Sequence, residues 1–298
     1  IIWQFQRKNV TLRKNVSNMK YPIGIQTFDK IIDGGYVYVD KTDLIYQLVQ
    51  GNIYFLGRPR RFGKSLLVST LEQYFRGNKE LFKGLAIDKL ETEWKQYPVF
   101  HIDFSTGNYL NDGVLEDVLS DNLTEWEAQY EVAKTSNDLG LRFQKVLRAA
   151  HEKTGLGAVV LIDEYDKPIL DVIELDYQVE HLGKMISLEE KHRNIMKSFY
   201  TTFKGADADL RFVFLTGVTK FSQISMFSGF NQPADISLSR NYEALCGITK
   251  DELVKYFAEP IAEIAQIYHC TEEEMLQKLK MKYDGYHFSE KMVDVFNP

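Results

Sequence analysis

Cysteine is scarce in this sequence: Cys246 and Cys270 are the only two, far apart and without partner spacing. That excludes a disulfide framework or a zinc motif, and a reducing, cytoplasmic setting is expected. No apolar run approaches the roughly 18 residues that a membrane-spanning helix needs, so no membrane role is expected. Excess positive charge is missing too. Lys and Arg number 36 against 42 Asp and Glu, a net charge of −6, which leaves no whole-chain electrostatic footprint for nucleic acid. The six histidines, His101, His151, His181, His192, His269 and His287, show no metal-ligand spacing.

What remains is an ordinary globular composition, 44% hydrophobic and 26% charged over 298 residues, enough for one large domain or one domain with an appendage. Residues 1–18 differ in texture, with four positive charges, no acid and no long apolar stretch like that of a signal peptide. They are expected to be an N-terminal extension ahead of a natural start at Met19; a solvated or packing arm is the alternative. At the other end, "VDVFNP" follows a strand-like run, and the sequence is expected to be a fragment of something longer.

Short apolar runs alternate with helical periodicity. Strands are expected at residues 52–57, 97–105, 157–164 and 210–217, with a weaker fifth at 234–239. "GAVVLIDE" is nearly continuous in apolar residues, as in a strand covered on both faces. Helical faces recur at Leu67, Leu71, Tyr74 and Phe75, at Val114, Leu115, Val118, Leu119, Leu123 and Trp126, at Phe143, Val146, Leu147 and Ala150, and at Ile195, Met196, Phe199, Tyr200 and Phe203. The alternation predicts an α/β protein with a mainly parallel sheet of about five strands. After about Cys246 the pattern is helical only, with capping boxes at Thr249/Glu252 and Thr271/Glu274 and a break at Pro260. Expected segments are therefore 1–18, a core at 19–245 and a helical segment at 246–298.

"FLGRPRRFGKSLLVSTL" carries the chemistry. Gly63, Lys64 and Ser65 end it as a Walker A motif does, between a strand and a helix. Backbone N–H groups at the helix start suit phosphate, and the helix dipole adds to them. Lys64 is expected to bridge β- and γ-phosphates and Ser65 to hold Mg²⁺. The motif's first glycine is displaced: Arg58 stands there and Gly57 precedes it, a weakness because arginine reaches φ > 0 less cheaply than glycine. Nucleotide contacts are expected from Gly57, Arg60, Arg61, Phe62, Gly63, Lys64, Ser65 and Leu66.

The partner motif is "VVLIDEYDKP". Asp163, at the strand end, is expected in the Mg²⁺ shell with Ser65, and Glu164 is expected to orient the attacking water. Open α/β sheets bind ligands at this edge. "FVFLTGVTK" ends a further strand in Thr216, whose expected role is to sense the γ-phosphate from between the two motif strands; a hydroxyl capping the next turn is the alternative. Asp103, Lys220 and Arg240 are weaker candidates.

Together, "YVYVDKT", "GRPRRFGKSLLVSTL", "VVLIDEYDKPIL", "FLTGVTKFSQISMFSGFNQPADISL" and "YDGYHF" resemble the bacterial AAA-ATPase-like domain family, from about Lys20 onward. The resemblance implies a three-layer P-loop NTPase sandwich with ATP and Mg²⁺ as cofactors, and a loop whose displaced glycine is a family variant. It also implies that relatives continue into a PD-(D/E)XK nuclease-like domain, expected to lie outside this sequence.

Three functions stay open. The first is an Mg²⁺-dependent ATPase that drives or gates an attached effector domain. The second is a nucleotide-binding switch with little hydrolysis. The third is a nucleic-acid-associated ATPase, encouraged only by Arg7, Lys8, Arg13, Lys14, Arg58, Arg60 and Arg61. ATP is favoured over GTP because no N-K-x-D guanine-reading sequence follows the fourth strand. Tyr38, Asp40 or Thr42 is expected near the base.

Overall fold

The computed structural model describes residues 19–219, 233–283 and 286–298. Helices α1 (Phe28–Asp33) and α2 (Thr42–Leu48) come first, then strand β1 (Ile53–Gly57), helix α3 (Lys64–Phe75) and strand β2 (Val99–Asp103). Helices α4 (Val114–Gln129) and α5 (Leu139–Thr154) lead to β3 (Ala158–Asp163) and the short α6 (Lys167–Leu170). A hairpin of β4 (Gln178–His181) and β5 (Lys184–Ser187) precedes α7 (Leu188–Gly205) and β6 (Leu210–Gly217). Strands β7 (Ala234–Asp235) and β8 (Ile248–Thr249), helices α8 (Lys250–Ile267) and α9 (Glu272–Tyr283), and β9 (Val295–Phe296) follow among the described residues.

Five strands form one all-parallel sheet in the order β2-β3-β6-β1-β7. All six residues of β3 are buried, as its apolar run predicts. Alternation along the strands divides the core. Val160, Ile162, Val213 and Leu215 face a cluster with Leu119, Phe143 and Phe199 of α4, α5 and α7. Val159, Leu161, Phe212 and Phe214 face the opposite cluster with Phe28, Leu48, Leu71 and Phe75 of α1, α2 and α3. The result is the three-layer sandwich, with both sheet faces covered as parallel strands require.

Two parts depart from the sequence reading. The β4–β5 hairpin turns at Leu182 and Gly183, both at positive φ (52° and 76°), the geometry that two-residue hairpin turns need. After Cys246 the chain is not helical only. β8 and β9 pair antiparallel, Ile248 with Phe296 and Thr249 with Val295, and tie the start of α8 to the last residues.

Both expected capping boxes form. Thr249 Oγ1 accepts from Glu252 N–H while Glu252 accepts from Thr249 N–H, and Thr271 and Glu274 repeat the exchange. Helix α8 is kinked at Phe257 (φ −129°, ψ 19°), three residues before Pro260. Proline has no N–H to complete the helical ladder there.

Candidate functional site

The loop from β1 to α3 is built on backbone geometry. Gly63 is the N-cap of α3 at φ 88°. An added Cβ there would meet nothing within 4 Å, so the need for glycine comes from the backbone angle rather than from space. Arg61 also sits in the left-handed region, at φ 68°, and costs roughly 1–2 kcal/mol of strain. Lys64 opens the helix and is only 5% exposed. Its Nζ donates to the carbonyls of Arg58 (3.0 Å) and Pro59 (3.1 Å). Burial pushes the Lys64 amine pKa down, opposed by the negative charges of Asp163, Glu164 and Asp166. The first-turn N–H groups of α3 have no carbonyl within the helix to bond.

Arg58 is not a failed glycine. Neither it nor Gly57 adopts positive φ. Gly57 N–H donates to Ser237 Oγ at 2.7 Å, which fixes the strand end to the segment after β7.

The second half of the site lies at the ends of β3 and β6. Register pairs Ile162 with Leu215, so Asp163 and Thr216 are adjacent. Thr216 Oγ1 donates to Asp163 Oδ1, and the Glu164 N–H reaches the same two oxygens at 3.1 Å (Asp163) and 3.3 Å (Thr216). Glu164 is left-handed at φ 51°, rare for a residue with a side chain, and lines the cavity described below. Burial, then the charge of Asp163, raise its pKa, while Lys64 lowers it. Asp166, 1% exposed, accepts from Val218 N–H (2.9 Å), Thr219 N–H (2.7 Å) and Thr219 Oγ1 (2.8 Å), and so holds the chain as it leaves β6.

A cavity of about 1210 Å³ opens in front of the loop. Residues 60–67 and Glu164 supply one wall, the segment with Tyr38 and Lys41 another, and Phe257 and Ile261 of α8 an apolar third. Tyr21 stacks on Phe257 there, with centroids 5.6 Å apart. Of the expected contacts, Arg60, Arg61, Phe62, Gly63, Lys64, Ser65, Leu66 and Glu164 line this cavity, whereas Gly57, Asp163 and Thr216 do not.

The weaker candidates are placed as follows. Tyr38 lines the cavity. Asp40 and Thr42 are engaged elsewhere: Asp40 accepts from Thr42 N–H at 2.9 Å and from Ala86 N–H at 2.8 Å, and Thr42 Oγ1 accepts from Ile87 N–H at 3.0 Å. Asp103 accepts from Ser105 N–H at 2.7 Å and caps a 3-10 turn. Arg240 is exposed and paired with Glu290. Lys220 lies outside the described residues. Sequence reasoning missed Lys41, which lines the cavity and binds Glu252 Oε1 at 2.6 Å, and Asp166. A third acid just beyond Asp163-Glu164 was the available signal for Asp166.

With this geometry in hand, the family described as "Predicted AAA-ATPase" matches residues 22–227. The chain belongs to that family. The matched span takes in the loop at 57–66, the strand end at 163–164 and Thr216, and leaves out the weaker candidate Arg240. An "Uncharacterized protein in vnfD 5'region" of Azotobacter chroococcum mcd 1 is similar, 38% identical over 285 residues, covering 95% of this chain and 51% of that protein. The chain thus spans about half the length of this relative. No solved structure matches. Among the described residues no helix is long and apolar enough to cross a membrane.

Proposed function

We propose that this chain binds ATP with Mg²⁺ and hydrolyses it, and that turnover drives or gates an attached effector domain. The observation that carries the reading is convergence. β6 lies between β1 and β3, so Lys64, Thr216, Asp163 and Glu164 come together at one end of the sheet. A chance Gly-Lys-Ser at a helix start would have no Asp-Glu strand end facing it.

The residues fit the ligand. Ligand pockets run to roughly 300–1,000 Å³, and the cavity of about 1210 Å³ has room for a nucleotide. Gly63 lets the backbone approach phosphate, and the α3 N-terminus favours its charge. Lys64 would exchange the Arg58 and Pro59 carbonyls for phosphate oxygens. Ser65 and Asp163 would hold Mg²⁺, which when bound supplies charge neutralisation at the phosphates. Glu164, as the carboxylate, would orient and polarise the water. Thr216 keeps Asp163 in place. The apolar wall at Phe257 and Ile261 suits a base, and the absence of an N-K-x-D sequence favours adenine. A nucleic-acid-associated role draws less support: Arg58 is buried, Arg60 and Arg61 face the cavity, and Arg7, Lys8, Arg13 and Lys14 lie outside the described residues.

The test is ATP and GTP turnover with Mg²⁺ by the purified chain, with Lys64→Ala and Glu164→Gln beside it. ATP turnover should fall by about 10²-fold or more in both, with binding lost in Lys64→Ala and retained in Glu164→Gln. Binding through Lys64 without turnover would replace this reading with the switch, and no binding would sink both.

A further inference from the structure

Arg58 stands where the motif usually has a glycine, and its side chain is 1% exposed. Its planar fork reaches three carbonyls: Gly57 at 3.0 Å, Tyr242 at 3.2 Å, and Ser237. The guanidinium carbon lies 3.9 Å from the centre of the Phe288 ring. Nε has no partner, so the attachment consists of the two Nη atoms and the ring face. Arginine supplies several in-plane donors and a face that stacks on a ring; lysine supplies neither. The carbonyl of the same residue accepts from Lys64 Nζ at 3.0 Å. One residue therefore joins Phe288 to the lysine of the loop.

Neighbouring contacts run the same way. Phe62, fully buried, meets Tyr286 edge-on at 4.7 Å and Phe288 at 5.4 Å. Its carbonyl accepts from Gly247 N–H at 3.0 Å. A Cβ on Gly247 would fall 2.4 Å from Val295 Cγ1, so β9 is packed tightly there. The loop thus borders both the cavity and residues 286–296, and Phe62 and Tyr286 belong to both contacts.

We propose that Arg58 is a positioning residue: clamped on Phe288, it lets the C-terminal segment 286–296 set the shape of the nucleotide loop. A glycine at this position would make loop shape a local property of the chain. Arginine makes it conditional on partners far downstream. Loss of the ring leaves a buried guanidinium with one face unsupported, and the Arg58 carbonyl that holds Lys64 shifts with it. The functional meaning rests on the nucleotide-binding reading above; the clamp itself does not.

The test is a double-mutant cycle of Phe288→Leu, which keeps an apolar side chain without a ring face, and Arg58→Lys, which keeps the charge without the fork. Hydrogen exchange at residues 58–66 is measured first, on ligand-free protein. Each single variant should exchange about tenfold faster there, with β3 amides unchanged. The double variant should be no faster than Arg58→Lys alone, because that change already removes the stack that Phe288→Leu removes. Calorimetry with MgATP should then show about tenfold weaker binding. Additive effects in the cycle, or unchanged exchange in Phe288→Leu, would overturn the proposal. If Arg58→Lys does not fold, as unprotected β3 amides would reveal, Phe288→Tyr takes its place. It keeps the ring and should match wild type; loosening equal to that of Phe288→Leu would overturn the clamp. If wild type binds no MgATP, the ATPase reading falls, and ligand-free exchange still decides the clamp.

Discussion

Thr216 donates its hydroxyl hydrogen to the carboxylate of Asp163, and this bond fastens the end of β6 to the end of β3. Both groups are buried, at 0% and 3% exposure, so neither has water as an alternative partner. Thr216→Val keeps the shape and removes the donor. It should cost about 1 kcal/mol of stability, because the buried oxygen loses one of its two donors and keeps the Glu164 N–H. ATP turnover should fall as well, because Asp163 is free to turn. Thr216→Ser should restore both. Denaturant titration and steady-state turnover on the three proteins check this; a valine variant equal to wild type in both would refute it.

Gly217, the next residue, is glycine for lack of room. A Cβ there would lie 2.5 Å from Tyr165 Cε1 and 2.9 Å from Asp166 Oδ1. Tyr165 cannot retreat freely, since its hydroxyl donates to Thr219 O at 3.0 Å and its N–H to Thr216 O at 2.9 Å. Gly217→Ala should destabilise by about 1–3 kcal/mol through overpacking. Thermal unfolding of the variant, with nucleotide affinity measured alongside, tests whether the displaced Asp166 loosens the chain leaving β6.

Glu164 gives a prediction in pH. Its pKa stands above the ordinary 4.5 through burial first and Asp163 second. A carboxyl raised in this way holds its proton more tightly folded than unfolded. The stability this gives is complete below 4.5 and is lost as pH rises through the folded value. At neutral pH the carboxylate therefore burdens the fold, and Glu164→Gln should melt higher than wild type. The gap should close as pH falls through 4.5. Calorimetric scans across pH check it. In wild type the acid limb of kcat/KM, which reports the free enzyme, should lie above 4.5.

The strands and motifs were legible because each is a local pattern. "GAVVLIDE" reads as a doubly covered strand from eight letters, and Lys64 and Asp163-Glu164 announce themselves by position. The failures share a different cause. β8 and β9 have two residues each, too few for any period, and exist only through each other. The displaced glycine reads as a family variant, but what Arg58 does there depends on Ser237, Tyr242 and Phe288 from far along the chain. Asp40 and Thr42 looked available for a ligand because the sequence does not reveal that the amides of Ala86 and Ile87 claim them.

Lys64 rests on two carbonyls of its own loop. An arriving anion has to outbid both before the ammonium moves, and each oxygen it offers in exchange counts. On the nucleotide-binding reading proposed above, a phosphate that replaces both carbonyls would draw the lysine out, and one that replaces neither would leave it docked. On that reading, what a phosphate must offer is set by contacts the loop has already made with itself, before any contact with the base.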